Sequence, residues 1–461
     1  MQQAVVDNGD GTVSFHLAQA WGPFLATIAN SWGAIQDKAW VIANGGWDGD
    51  CTTWQNYYAR DAETTPLREI ENGTGPFMVD HWTRGEEIVL VRNPNYWVTE
   101  PLWEGAPTGP AALERVVIRE VTEWGTRFAI MQAGDSDFTV VNPANRVQMD
   151  PLVGERCEYV ADTMGFQCAP TDNPNGPFRM YRGYPTVIRT DVFFNFNINV
   201  EGGNPLVGSG QLDGNGIPPR FFADVHVRRA FEYCFDYDAF IAGALNGEGQ
   251  INVGYLIPGM LGYDPNGPHY TYDLAQCRAE LEQAWDGAVV TNGFRFQIAY
   301  NSGNTGRQTA AQILQASFID PTVDTEGTSK FVVEVVGLPW PTFLGLQRQL
   351  RLPVFVSGWL EDIHDPHNWA SPMLVGTYAS RQSLPDEIRA AFQVKVNAAV
   401  AATDPAARAA LYEELTQMDY DTAMAIRLPI GAGRHYEQRW VQGWYYNMIY
   451  PGTYFYVLSK Q

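Results

Sequence analysis

The sequence is poor in positive charge. Thirty Lys and Arg stand against 52 Asp and Glu, a formal net charge of −22. Nucleic acid is thereby a poor partner, because phosphate binding needs clustered cations. An anionic membrane surface is disfavoured for the same reason. No run of eighteen apolar residues occurs, so the sequence contains no candidate transmembrane helix. The first residues, MQQAVVDNGDGTVSFHL, lack the basic start and apolar centre of a secretion signal. The five cysteines contain no CxxC pair, which removes the usual zinc-ribbon and dithiol motifs. GxSxG, GxxxxGK[ST] and GxGxxG are absent as well, so nothing supports a serine hydrolase, a P-loop or a dinucleotide fingerprint.

What is present suits a folded binding protein. Hydrophobic residues make up 45% of the 461 positions, enough for two or three domains with cores of their own. Aromatic residues reach 13%, and flat amphipathic rings such as Trp and Tyr are what peptide and carbohydrate clefts use, although an aromatic core would count the same. Cys157 and Cys168 lie eleven residues apart, and Cys234 and Cys277 fall on two predicted helices. In an oxidising compartment the first pair forms a local disulfide and the second pair can form another; otherwise the five are separate thiols. Cys51 is left over.

The most specific stretch is Gly73 to Trp97, GTGPFMVDHWTRGEEIVLVRNPNYW. Gly73, Gly75 and Pro76 form a turn, Phe77 to Trp82 alternates as a strand, and Ile88 to Val91 is a second, β-branched strand. On physics alone this is a β-hairpin and no more. GTGPF followed by a hairpin and RNPNYW nevertheless resembles the signature of the family 5 extracellular solute-binding proteins, the peptide- and nickel-type receptors of ABC importers. VRRAFEYCFDYDAFI (227–241), IPGMLGYDP (257–265), YDLAQCRAELEQAW (272–285), FRFQIAYNSGNTGRQTAAQILQASF (294–318) and GWLEDIHDPHNW (358–369) extend the resemblance in the expected order.

The resemblance implies an α/β fold of two lobes, periplasmic-binding-protein-like (type II with an extra subdomain), with mixed sheets flanked by helices. Residues 1–70 resemble the remainder of the small subdomain of lobe I, 71–190 lobe I, 191–425 lobe II and 426–461 the return to lobe I. Relatives carry an export or lipoprotein signal and further lobe I chain before anything similar to residue 1. Met1 therefore reads as an internal position of an exported, periplasmic or lipid-anchored cell-surface protein whose N-terminal segment is missing. Hinge closure around a solute and delivery to permease subunits follow from the resemblance, as does a monomer with no cofactor that is not an enzyme.

The chain in order gives the following elements. Trp21 to Ala43 reads as one helix, with Phe24, Leu25, Ile28, Trp32 and Ile35 at helical spacing. Residues 150–190, rich in Pro, Gly and Asn, read as a looped ornament pinned by Cys157–Cys168. Beyond 191, strands and helices alternate as in an α/β domain.

The apolar strand Val354 to Ser357 runs into Gly358-Trp359-Leu360-Glu361-Asp362. A strand edge ending in glycine can offer backbone groups to an extended peptide. By resemblance, Asp362 holds the ligand's α-ammonium, Trp359 and Trp340 wall side-chain pockets, and Gly358 and Leu360 contribute backbone. Asn195, in the strand Val192 to Ile198, is counted with them. A cation for a ligand carboxylate falls near Gln347 and Arg348. Without the resemblance, Asp362 is a solvated loop acid or a cap for 366–373. His364, Asp365 and His367 have metal-ligating chemistry but no established coordination spacing, so no metal is assigned. The alternative reading is a secreted oligosaccharide-binding protein or carbohydrate-active hydrolase using Glu361, Asp362 and Asp365 as paired carboxylates.

Overall fold

A computed structural model describes residues 4–58, 65–448 and 452–461. Parts of the 1–70 and 426–461 segments named above, residues 1–3, 59–64 and 449–451, thus lie outside the described residues. The chain divides into two compact units. Unit 1 comprises Met1–Ala18, Thr27–Tyr184 and Arg434–Gln461; unit 2 comprises Gln19–Ala26 and Pro185–Gly433.

Unit 1 carries a five-stranded sheet in the order 138–139, 433–438, 178–184, 153–160, 165–170. This corrects the looped reading of residues 150–190. The glycines there allow close strand approach rather than irregular chain. A Cβ on Gly154 would stand 2.3 Å from the carbonyl oxygen of Gly176, and one on Gly176 would stand 2.5 Å from that of Leu152. Cys157 and Cys168 face each other across the 153–160 and 165–170 strands and are bonded. Met131, Met149, Phe178, Met180 and Tyr436 form the core beneath. A separate three-stranded sheet contains the signature hairpin, Phe77–Thr83 against Glu87–Arg92, with Arg115–Arg119 beside it.

The helix expected over Trp21 to Ala43 is broken into Phe24–Ile28, a 3-10 turn at Ser31–Gly33 and Lys38–Ala43. Asn30 accepts a hydrogen bond from the Ser31 amide, and Asp37 accepts from Ala39 and Trp40, so polar side chains restart the backbone twice. The apolar spacing misled because Leu25, Trp32 and Ile35 are exposed, Ile35 almost completely at 98%.

Unit 2 is built on a second five-stranded sheet. Its elements, in chain order, are β1 (Ile188–Phe194), α1 (Val225–Tyr233), α2 (Leu274–Gln283), β2 (Phe294–Asn301), α3 (Thr305–Phe318), β3 (Phe331–Leu338), α4 (Trp340–Arg348), β4 (Val354–Leu360), α5 (Pro405–Thr422) and β5 (Ala425–Arg427). Strand order is β3-β2-β4-β1-β5. β2 runs parallel to both β3 and β4, while β1 is antiparallel to β4 and β5. The helices begin where the sequence supplies caps: Asp224 for α1, Asp273 for α2, Asn304 for α3 and Asp404 for α5. The core runs from Val192 and Phe194 through Phe221, Phe222, Phe231 and Phe294 to Phe318.

Cys234, at the end of α1, is bonded to Cys277 on α2, 43 residues later. The bridge shortens a long loop of the unfolded chain. Replacing both cysteines by alanine is expected to cost about 2–4 kcal/mol, read as a lower urea midpoint with a somewhat steeper slope, because the unfolded chain becomes less compact.

Candidate functional site

Because β2, β3 and β4 are parallel, their carboxyl ends lie at one end of the sheet, the end where open α/β sheets place ligands. In register, Asn301 of β2 stands beside Leu338 of β3. Extending the Ala299–Phe355 pairing by two residues sets Asn301 opposite Ser357. β4 continues three residues farther, through Gly358, Trp359 and Leu360, held on its other side by β1 as far as Ile188. The Glu361 amide donates to the Val187 carbonyl. By alternation, the backbone groups of Gly358 and Leu360 then point away from β1, to the side that β2 has vacated. The Gly358 carbonyl already accepts from the Tyr378 hydroxyl at 2.5 Å, and that hydroxyl also meets Ser357 Oγ at 3.0 Å. Leu360, 52% exposed, ends the open edge.

Gly358 is there because nothing larger fits. A Cβ would lie 2.5 Å from the Arg189 carbonyl oxygen and 2.9 Å from Arg307 Nη2. Gly358→Ala should therefore push β4 off β1 at this end, costing about 1–3 kcal/mol. A lowered melting midpoint together with weakened ligand binding is the expected result, checked by thermal melts and calorimetry on the same preparation.

Asn368 organises the residues after the strand. Its Oδ1 accepts from the Asp362 amide at 2.8 Å and from Trp359 Nε1 at 3.2 Å, while its Nδ2 donates to Asp362 Oδ2 at 3.2 Å. One amide side chain thus fixes the Asp362 carboxylate and the Trp359 ring together. Trp359 meets Tyr378 edge to face at 6.3 Å. Trp340 follows β3 by two residues at the same end of the sheet. It is 47% exposed and stacked on Phe343 at 5.6 Å.

The structure thus brings Gly358, Trp359, Leu360, Asp362 and Trp340 to one end of the sheet, but not Asn195. That residue follows β1 at the opposite end, beside Val354, and is fully buried. Its Nδ2 donates to the Leu350 and Leu352 carbonyls and its Oδ1 accepts from the Asn197 amide. Its polar groups are consumed in pinning the chain before β4, and its place among the ligand residues is corrected on that ground. Gln347 and Arg348 lie farther off, since α4 carries them seven and eight residues from Trp340 at the site end, roughly 10–12 Å at 1.5 Å per residue.

Arg307, which sequence reasoning passed over, is a buried cation beside Gly358 at this end of the sheet. It stands in the first turn of α3, with Nη1 donating to Asn301 Oδ1 at 2.7 Å. Its buried Nε finds no acceptor, and no carboxylate within ion-pair distance is found for it among the described residues. Burial pushes its pKa down, because the charged form is desolvated. A signal was available in the sequence. A cation in a helix's first turn opposes the macrodipole, so Arg307 is misplaced for α3 alone.

The neighbouring acids and His364 are occupied, whereas His367 Nδ1 is buried with no partner among the described residues. Buried Glu361 accepts from His364 Nδ1 at 2.7 Å and Trp369 Nε1 at 3.0 Å. Asp365 takes two bonds from Arg408, at 2.8 and 2.9 Å, and one from the His367 amide. Burial holds His367 below the usual histidine range. Among the described residues no group of three His, Cys, Asp or Glu is placed to hold a metal.

The profile of the bacterial extracellular solute-binding proteins, family 5 (middle), matches residues 1–381. The chain belongs to this family. Family 5 comprises binding proteins rather than enzymes, which sets the hydrolase alternative aside. A probable D,D-dipeptide-binding periplasmic protein, DdpA of Escherichia coli K12, is 26% identical over 66% of this chain and 45% of its own length. Heme-binding protein A of Haemophilus influenzae is 23% identical over 76% of this chain and 53% of its own. The chain thus spans about half the length of these curated relatives. Among solved structures, the periplasmic binding protein DppA of Helicobacter pylori, in complex with the peptide STSA, superposes with a TM-score of 0.69. It is 20% identical, with 99% of this chain and 74% of that chain covered. At that identity the likeness shows the fold, the α/β periplasmic-binding-protein fold of the family 5 type. Among the described residues, no helix is long and apolar enough to cross a membrane.

Proposed function

We propose that the chain captures short peptides, or a closely related small solute, and passes them to the permease of an ABC importer from outside the cytoplasmic membrane. The observation that carries this reading is the open edge of β4. Gly358 and Leu360 direct backbone groups to a side with no neighbouring strand among the described residues, between an anion, Asp362, and a buried cation, Arg307. An extended peptide can engage each of these. Its backbone pairs with β4 whatever its sequence, its ammonium meets Asp362 and its carboxylate meets Arg307. The exposed rings of Trp340 and Trp359 are placed to cover side chains. Relatives named for dipeptides support the same ligand class.

Calorimetric titration with di- to pentapeptide mixtures tests the reading. Saturable binding that is lost when the peptide carboxylate is amidated is expected. Heat from oligosaccharides with none from peptides would overturn it.

A further inference from the structure

Asp362 lies two residues past the end of β4, on an exposed stretch where no strand pairs with it among the described residues. A carboxylate so placed has several rotamers open to it, and a ligand that binds it must freeze one. The segment behind it, residues 361–369, works against that freedom.

This segment is anchored on α5. Arg408, in the first turn of that helix, donates from Nε to the Ala399 carbonyl at 3.1 Å and from both Nη atoms to the Asp365 carboxylate. Both Arg408 and Asp365 are buried. The Asp365 carbonyl in turn accepts from the Asn368 amide at 2.9 Å. Glu361 closes the same turn from its other end, through Trp369 Nε1 and His364 Nδ1. The backbone of Asn368 is therefore fixed from α5 on one side and from the end of β4 on the other.

From this backbone the Asn368 side chain reaches back to the strand end. Its Nδ2 donates to Asp362 Oδ2, and its Oδ1 accepts from the Asp362 amide and from Trp359 Nε1. The amide fits only one way round. Turned over, it would set its oxygen against a carboxylate and its NH2 against two N–H donors. An aspartate in its place would bring two carboxylates to about 3.2 Å from each other. The position thus calls for a donor and an acceptor on one short, rigid plane.

We propose that Asn368 is a positioning residue for ligand binding, which touches no ligand but holds the Asp362 carboxylate and the Trp359 ring in the arrangement that receives a peptide's ammonium end. The inference rests on the peptide reading above. Asn368 then contributes chiefly through Asp362, and what it contributes is side-chain freedom removed before the ligand arrives. Such a contribution disappears when Asp362 is absent, whereas a general loosening of the segment would weaken binding in either background.

The test is calorimetric titration of an unmodified tripeptide into four full-length proteins: wild type, Asn368→Ala, Asp362→Ala and the double variant. Asn368→Ala should weaken binding about tenfold in the wild-type background. In the Asp362→Ala background it should weaken binding no more than about threefold, because only the hold on Trp359 is left to lose. Thermal melts of the ligand-free preparations check that each protein is folded. If Asn368→Ala does not fold, Asn368→Ser takes its place in the same comparison, since its hydroxyl can still accept from the Asp362 amide but gives up the reach to the carboxylate. Equal losses in the two backgrounds, or a loss below about twofold in the wild type, would overturn the proposal while leaving the peptide reading intact. A wild-type protein that binds no peptide, or one that binds it equally well as Asp362→Ala, would overturn both.

Discussion

Replacing Asp362 by alanine should weaken peptide binding about 100-fold, a loss of roughly 3 kcal/mol. Asp362 is exposed in the ligand-free protein, and an exposed ion pair is worth at most about 1 kcal/mol. The larger figure follows from what a bound peptide does to the surroundings. A peptide lying along the β4 edge, with Trp359 over it, removes water from its own ammonium group. Without the carboxylate, that ammonium is desolvated and unpaired, and most of the penalty comes from this stranded charge. Asn368 makes the effect sharper, because it fixes Asp362 Oδ2 in advance and little side-chain freedom remains to be lost on binding. An N-acetylated peptide provides the control. It should bind wild-type protein about as weakly as the free peptide binds Asp362→Ala, and the two changes together should cost less than either alone, because no charge is then stranded. Calorimetry on the four combinations reads the coupling. A loss of threefold or less in Asp362→Ala would show that the ammonium stays in water and that Asp362 does not anchor it.

The candidate site was picked out through the family resemblance; on local pattern alone Asp362 is a solvated loop acid or a helix cap. An apolar β-branched run ending in Gly-Trp is an ordinary buried strand until the glycine, and the glycine marks the close approach of the Arg189 backbone and the Arg307 side chain. The alternation of strands and helices from residue 191 onward pointed to an α/β domain, and in the structure the parallel strands β2, β3 and β4 of its mixed sheet mark the end where such folds place ligands. Where reading failed, the local pattern was truthful but its partner lay far away in sequence. Asn195 looks like a polar residue displayed by a strand; only the packing of 350–352 against it shows that its amide is spent. Arg307 looks like one more charged residue on an amphipathic helix, and only the open edge of β4 gives it meaning. Gly154 and Gly176 have the composition of a loop and the function of a tight strand contact. The Trp21 to Ala43 stretch has helical spacing, but Asn30 and Asp37 cap new turns inside it and its large apolar residues face solvent.

Arg427→Met is expected to be the most damaging single change in unit 2, costing about 3–5 kcal/mol. Met keeps the length of the Arg aliphatic stem, though not the guanidinium beyond it, and is at home in a core, so most of the packing is retained. The cost is electrostatic. Arg427 is 8% exposed and neutralises two carboxylates at once, both oxygens of Asp419 and one of Asp191. Asp191 keeps Arg189 and the Leu428 amide after the substitution, whereas Asp419, 4% exposed, loses both of its strong donors. Asp419 must then take up a proton or remain buried as an unpaired anion. The deficit comes from a buried carboxylate left without its cation, so it should be largest near pH 8, where carboxylates are ionised, and shrink as the pH falls towards 5. The double variant Arg427→Met, Asp419→Leu removes the stranded charge and should recover much of the loss, as apolar replacements of buried ion pairs do. Urea unfolding of the three proteins at pH 5 and pH 8 separates the cases. A uniform loss at both pH values, unrelieved in the double variant, would mean that Arg427 acts through shape alone. A recovery would show that this network, which ties β1 and β5 to α5, is held together by charge balance rather than by packing.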